Sequence, residues 1–313
     1  MEFLDKNLDY FKIIRPKNLL IAALTQCIIY KYIILQFVPV PSLNVSLFLL
    51  LSLDTIIIAA GGYVINDILD FKSDSINKPE KTLIPEKISV REGYLYYILL
   101  LFTGLILAFY IAYRINNLPL VLIYPTAALV LYLYSLKFKN TILAGNIIVS
   151  VYVAFVTGIV LFFERDSVFS LESSDKKIVL TLFWAYMVFS FILNFIREVI
   201  KDIEDMNGDK KSGLATYPIR FGIQSSKKLC ITLCLLIIAM IITFMISIPF
   251  FHNLRIITYL TLLIAAPLVI VIQILTGTTQ KKDFSKISTI LKWIMVAGLG
   301  SIVLISTILQ SNE

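Results

Sequence analysis

What most constrains this chain is the recurrence of long apolar stretches. Nine of them, at roughly 17–38, 46–68, 93–113, 118–136, 141–163, 178–200, 229–250, 254–275 and 290–309, reach the length of about 20 mostly apolar residues that a bilayer crossing needs. Within lipid every backbone N–H and C=O must be satisfied inside the segment, so such runs fold as helices. The expected fold is all-α: a polytopic integral membrane protein with nine transmembrane helices in one bundle. Composition agrees, with 58% hydrophobic residues, only 16% charged and a mean hydropathy of +0.86; soluble domains are about a quarter charged. No Pro-, Ser- or Gly-rich linker divides the chain, so residues 1–313 read as a single domain. No cleavable signal peptide is expected: the first fifteen residues are charged and the first apolar run is too long for such a leader.

Lys and Arg decide the orientation, because they concentrate in cytoplasmic loops. Only Lys31, Arg114, Arg165, Lys176, Lys177 and Arg255 fall on one side of the nine runs, and every other Lys and Arg falls on the opposite side. The N-terminus is therefore expected in the cytoplasm and the C-terminus outside. The net charge of +7 is then a topology signal and not evidence for nucleic acid. Cys27, Cys230 and Cys234 lie inside apolar runs without metal or disulfide spacing and read as packing residues.

Against this background two acidic segments stand out. The first, VINDILDFKSD, places Asn66, Asp70 and Asp74 at intervals of four, about 0°, 40° and 80° around a helix, so one face presents all three. Asp67 lies a further 100° or so from Asn66 and points elsewhere. The second, NFIREVIKDIEDMNGD, puts Glu198, Asp202, Asp205 and Asp209 on one stripe, provided the helix persists past Gly208, a residue that favours a break. From Glu198 to Asp209 the rise is about 16 Å, too far for four carboxylates to share one ion.

Stacked carboxylates repel one another and are costly at membrane depth, so something positive must compensate them. Hard oxygen ligands suit Mg²⁺, which pairs a few carboxylates with substrate phosphates. Two facing acidic helices without a phosphate of their own thus point to Mg²⁺ ions bridging to a diphosphate. Lys72, Lys137, Lys139, Arg197 and Lys201 stand close enough in sequence to take the remaining phosphate oxygens. One such cluster is ordinary at a helix end entering water; two with matched spacing on the same side are not. The two lie four runs apart, which hints at duplication of a four-helix unit.

NDILDFKSDSINKPEK resembles the first aspartate-rich signature of the UbiA-type intramembrane prenyltransferases, and REVIKDIEDMNGDKKSGLATYPIRFG resembles their second, closing on Asp205 and Asp209. RPKN (Arg15 to Asn18) and YSLKFKNTILAGN (Tyr134 to Asn146) match further patterns of that family, so the resemblance covers nearly the whole chain. Within it, the second motif looks most like the branch that prenylates geranylgeranylglyceryl phosphate.

The resemblance implies nine helices and a Mg²⁺ cofactor held by Asn66, Asp70, Asp74, Glu198, Asp202, Asp205 and Asp209. Of these, Asp70, Asp74, Asp205 and Asp209 would be the catalytic core. It implies an isoprenyl diphosphate donor contacting Arg15, Asn18, Lys72, Tyr134, Lys137, Lys139, Arg197 and Lys201, with either Lys137 or Lys139 on the diphosphate. Diphosphate departure would leave an allylic cation, faced by aromatic rings such as Tyr63, Phe71 and Tyr134, for a lipophilic acceptor to capture within the bilayer. An aromatic quinone precursor, or haem or chlorophyll, is the alternative acceptor. A cation-coupled transporter is the alternative of a different class, but its carboxylates belong in mid-span, not at helix ends. The one histidine, His252, falls in a loop on the side away from the motifs, so the deprotonating base is a carboxylate, released diphosphate or water.

Overall fold

The computed structural model describes residues 2–77, 80, 82–277 and 280–311. Among them there are helices and no strands. The α-helices are α1 (Glu2–Ile13), α2 (Pro16–Ile29), α3 (Leu35–Phe37), α4 (Val45–Asn77), α5 (Val90–Arg114), α6 (Ile123–Leu136) and α7 (Ala144–Phe163). They continue as α8 (Arg165–Phe169), α9 (Ser173–Lys211), α10 (Tyr217–Ser247), α11 (Leu254–Leu260), α12 (Ala266–Gly277) and α13 (Lys281–Ser311). Among the described residues nine helical stretches are long and apolar enough to cross a membrane, as the sequence predicts. Three of the nine are composite: a π-helical turn, Tyr30–Ile34, joins α2 to α3, another, Thr261–Ala265, joins α11 to α12, and a 3₁₀ turn, Leu118–Leu122, leads into α6. The protein is an all-α, multi-pass membrane protein.

Two helices far outrun the apolar segments from which they were expected. α4 has 33 residues and α9 has 39, about 50 Å and 58 Å against a hydrocarbon thickness of about 30 Å. The excess lies at the motif-bearing ends, so the acidic segments are helical extensions and not the loops that hydropathy places at 69–92 and 201–228. Gly208 does not break α9. The helix ends instead at Gly213, whose φ of +75° favours a residue without Cβ. There Leu214 N–H bonds Asp209 C=O at 2.9 Å and Gly213 N–H bonds Lys210 C=O at 3.2 Å, the paired closure of a Schellman C-cap. α10 likewise starts well before the predicted 229 and is interrupted at Gly222 (φ 84°, ψ 163°).

The chain divides into two compact units. The first comprises Met1–Cys27, Pro41–Thr141 and Asn207–Leu214. In it α4 packs against α5 and α6, and α1 lies on α4. Val64, Ile65 and Ile68 of α4 join Ile13, Ile84, Ile88 and Tyr97 in a buried core immediately behind the first acidic face. α5 starts at a capping box: Ser89 Oγ accepts from Glu92 N–H at 3.3 Å, and Glu92 Oε2 accepts from Ser89 N–H at 3.0 Å. Its outer stripe, Leu95, Leu99, Phe102, Ile106 and Phe109, is exposed at helical spacing and suits lipid.

The second unit comprises Ile28–Val40, Ile142–Met206 and Ala215–Glu313. There α12 packs on α10 and α13. Tyr186 of α9 and Ser301 of α13 share a hydrogen bond of 2.6 Å, and Tyr259 OH donates to Ala297 C=O at 2.9 Å. Such polar ties matter in lipid, where apolar packing alone gives helices little reason to associate. Cys230 and Cys234 are buried and Cys27 is half-buried; all three are free, in keeping with a packing role.

Candidate active site

In the first unit α4 delivers Asn66, Asp70 and Asp74 from consecutive turns of an unbroken helix. Asp70 is buried, whereas Asn66 and Asp74 are half-buried. Lys139, in the 3₁₀ turn Phe138–Asn140 that follows α6, donates to Asp70 Oδ2 in a very short ion pair. Lys139 lies outside the spans. Burial pulls its pKa down, but Asp70, with Tyr134 and Asp74 adding to it, pushes it further up, so it stays an ammonium. Of the two lysines the sequence left open, Lys139 is thus the one joined to the motif, whereas Lys137 is the exposed C-cap residue of α6. Tyr134 is near enough to Lys139 to reinforce its charge. The side chain of Lys72 lies outside the described residues.

Asp67 points off the acidic face, as the helix arithmetic requires, and meets Arg15. Arg15 Nη2 donates to Asp67 Oδ1 at 2.6 Å. The guanidinium also sits 4.8 Å from the centre of the Tyr63 ring, a cation–π contact. Asn18 Nδ2 donates to Tyr63 OH at 3.3 Å. RPKN is therefore a clasp on the second letter of the motif. It is set by an unusual backbone, since Arg15 takes φ +55° directly before Pro16 begins α2. Burial lowers the pKa of Arg15, but Asp67, Tyr63 and Asp74 together raise it more, so the net direction is upward. One face of Tyr63, a ring expected to steady a cation, is occupied by Arg15.

In the second unit α9 carries Glu198, Asp202 and Asp205. Glu198 Oε1 accepts from Arg197 Nη1 at 3.0 Å and from Lys201 Nζ at 2.7 Å. Asp202 Oδ2 accepts from Asn146 Nδ2 at 2.8 Å. Behind Asn146, Ser150 Oγ donates to Asn146 C=O at 2.6 Å and accepts from Asn194 Nδ2 at 3.3 Å. Asn146, Ser150 and Asn194 are all buried. The acid-only reading of the sequence missed this ladder. Its signal was a repeat: Asn194, Glu198 and Asp202 recur at the same fourfold intervals as Asn66, Asp70 and Asp74. The final turn of α9, with buried Asp209, belongs to the first unit, which thus holds Asn66, Asp70, Asp74 and Asp209 together.

The profile of the UbiA prenyltransferase family matches residues 23–296. The chain belongs to the UbiA prenyltransferase family. Among its relatives in that family, the digeranylgeranylglyceryl phosphate synthase of Methanocaldococcus jannaschii is 31% identical over 94% of this chain and 94% of that protein. The enzyme of the same name from Saccharolobus solfataricus is 33% identical over 75% of this chain and 78% of its own. A solved structure of digeranylgeranylglyceryl phosphate synthase in membranes superposes with a TM-score of 0.63 at 29% identity, covering 96% of this chain and 99% of that one. A UbiA homologue from Archaeoglobus fulgidus, solved with GPP and Mg²⁺, has a TM-score of 0.61 at 19% identity over 94% and 99% of the two chains, and shows the shared fold.

The donor chemistry of this UbiA chain suits a hard divalent ion: the candidate ligands are carboxylate and amide oxygens only. Among the described residues, no three Asp, Glu, His or Cys side chains already converge on one point. Asp70 holds Lys139, Asp67 holds Arg15 and Glu198 holds two cations. Protein cations thus supply positive charge that a metal would bring, and Lys139 occupies one of the two carboxylate oxygens of Asp70, Oδ2. His252 sits in the 3₁₀ turn Pro249–His252, far in sequence from either motif, with Nε2 donating to Ile246 C=O at 3.1 Å.

Proposed function

We propose that the protein transfers a geranylgeranyl group from its diphosphate to the hydroxyl of a glyceryl phosphate lipid, with residues 1–313 acting as one catalytic domain. The observation that carries this reading is the gathering of Asn66, Asp70, Asp74 and Asp209 into one compact unit, although Asp209 belongs to a different motif. The acceptor follows the relatives named digeranylgeranylglyceryl phosphate synthase. Asn66, Asp70, Asp74, Asp202, Asp205 and Asp209 would hold Mg²⁺, which when bound neutralises the diphosphate and makes it a better leaving group. Lys139 would donate to a diphosphate oxygen from beside Asp70. The C1–O bond of the donor breaks with its electron pair leaving on diphosphate, and the acceptor oxygen bonds C1. The hydroxyl proton passes to an aspartate or to released diphosphate. The motif-bearing ends of α4 and α9 would face the cytoplasm, following the Lys and Arg distribution.

The test is incubation of purified protein with labelled geranylgeranyl diphosphate, with Mg²⁺ or with EDTA, across glyceryl phosphate, hydroxybenzoate and dihydroxynaphthoate acceptors. The expected product forms only with Mg²⁺ and only from the glyceryl phosphate. Absence of product from every acceptor overturns the enzyme reading, and product from an aromatic acceptor alone overturns the lipid one. Asp70→Ala and Asp209→Ala should each lower kcat by about a hundredfold or more, the scale of losing one preorganised charge contact at a reacting centre. Wild-type rates in both would remove the metal assignment.

A further inference from the structure

One contact on the acidic stretch of α9 is made by a neutral group: Asn146 Nδ2 of α7 donates to Asp202 Oδ2 at 2.8 Å. A carboxylate offers only acceptors, so the amide has to turn its NH₂ toward Asp202. Asn146 adds no charge, so it orients the carboxylate without repelling a divalent ion as a lysine or arginine would. With Cβ set by α9 and Oδ2 held, the direction of Oδ1 follows, because the group is planar. Asn146 is itself held from behind. It is 8% exposed, and Ser150, one turn further along α7, is fully buried. Ser150 Oγ donates its one hydrogen to Asn146 C=O at 2.6 Å and accepts from Asn194 Nδ2 at 3.3 Å. By spacing, Asn194 is to α9 what Asn66 is to α4, yet it is 3% exposed and its NH₂ is turned to α7. All four residues lie in the second unit. A tie between helices in lipid is the plainer use of such bonds, and the Ser150–Asn194 pair supplies it with neutral groups alone. The bond from Asn146 falls on a candidate ligand.

We propose that Asn146, braced by Ser150 and Asn194, is a positioning residue that presents the Asp202 carboxylate to a divalent ion. This rests on the reading of Asp202 as a Mg²⁺ ligand above. Groups that hold a ligand are worth about tenfold to a hundredfold in metal affinity, because a carboxylate already in place loses little rotamer freedom when the ion arrives. Asn146 therefore acts on the metal and not on the prenyl chain or the acceptor. Its loss weakens binding of the ion and leaves KM for both substrates at saturating Mg²⁺ unchanged.

Asn146→Leu keeps the branched shape of the side chain without its donor. Mg²⁺ is titrated against the thermal unfolding midpoint of the purified protein with inorganic diphosphate and no prenyl donor or acceptor, so that no turnover enters the measurement. The wild-type midpoint should rise with Mg²⁺. In Asn146→Leu the half-saturating concentration should be about tenfold to a hundredfold higher, and Asn194→Leu should shift it the same way by less. In an Asp202→Asn background, adding Asn146→Leu should change it by less than about twofold, because a residue that acts through another does not add to its loss. In steady state at saturating Mg²⁺, KM for both substrates should stay within about twofold of wild type. A shift as large without the Asp202 carboxylate as with it, a raised KM for either substrate, or a lowered midpoint with wild-type half-saturation makes Asn146 a packing residue and overturns the proposal. If Asn146→Leu fails to fold, Asn146→Ser, which keeps a hydroxyl in the buried site but is too short to reach Asp202, carries the same readouts. If Asp202→Asn alone keeps the wild-type Mg²⁺ dependence, Asp202 is no ligand and the proposal falls, while Asp70→Ala and Asp209→Ala still decide the metal reading. A wild type that Mg²⁺ does not protect removes the proposal outright.

Discussion

At the residue scale, the meaning of each acid depends on which cation or amide has reached it. Asp67 and Asp70 are three residues apart on α4, yet one is clasped by Arg15 and the other by Lys139. Asp67→Asn should therefore loosen the RPKN clasp and lower thermal stability by about 1 kcal/mol or less, the scale of an exposed ion pair, while the Mg²⁺ requirement stays unchanged. Thermal unfolding in detergent alongside a Mg²⁺ titration checks both halves, and a moved Mg²⁺ requirement would place Asp67 among the ligands. Lys139→Ala leaves Asp70 buried without its ammonium; the expected outcome is weaker donor binding, read as a higher KM for the diphosphate. Helix arithmetic made the exclusion of Asp67 legible, because angle follows from spacing alone. The identity of its partner was not legible, because Arg15 is 52 residues away and reaches Asp67 only through a backbone turn at φ +55°.

At the scale of elements, length and termination decide where chemistry is displayed. Hydropathy found all nine crossings but stopped α4 and α9 at the edge of the oily segment, because it measures solvent preference and a helix is held by its own hydrogen bonds. The Schellman closure at Gly213 makes a specific demand. Gly213→Ala forces a Cβ into φ +75° and should cost about 1 kcal/mol; a fall in the unfolding midpoint with unchanged KM for both substrates would show a purely structural role. Close helix approach makes another. A Cβ on Gly104 would stand 2.0 Å from Tyr124 OH, whose hydroxyl donates to Leu100 C=O at 3.1 Å. Gly104→Ala is expected to destabilise the first unit by about 1–3 kcal/mol through overpacking, measured as a lower midpoint, and Gly104→Ala with Tyr124→Ala should recover part of it.

For the whole molecule, the bias of Lys and Arg makes a prediction about sidedness. Single cysteines replacing Lys12 and Arg255, in a chain whose three native cysteines are changed to serine, should be labelled by an impermeant maleimide from opposite faces of sealed vesicles. Labelling of both from one face would overturn the orientation. The sequence by itself determined the fold class and the number of crossings, because lipid leaves a backbone no option but to bond within its own helix. It also determined which acids share a face, since that is periodicity. The tertiary structure alone decided which unit receives the last turn of α9 and which cation rests on which carboxylate. It also decided that Asn146, Ser150 and Asn194 stand behind Asp202. Those are contacts between residues remote in the chain, and one sequence records the groups that can pair without recording which of them meet.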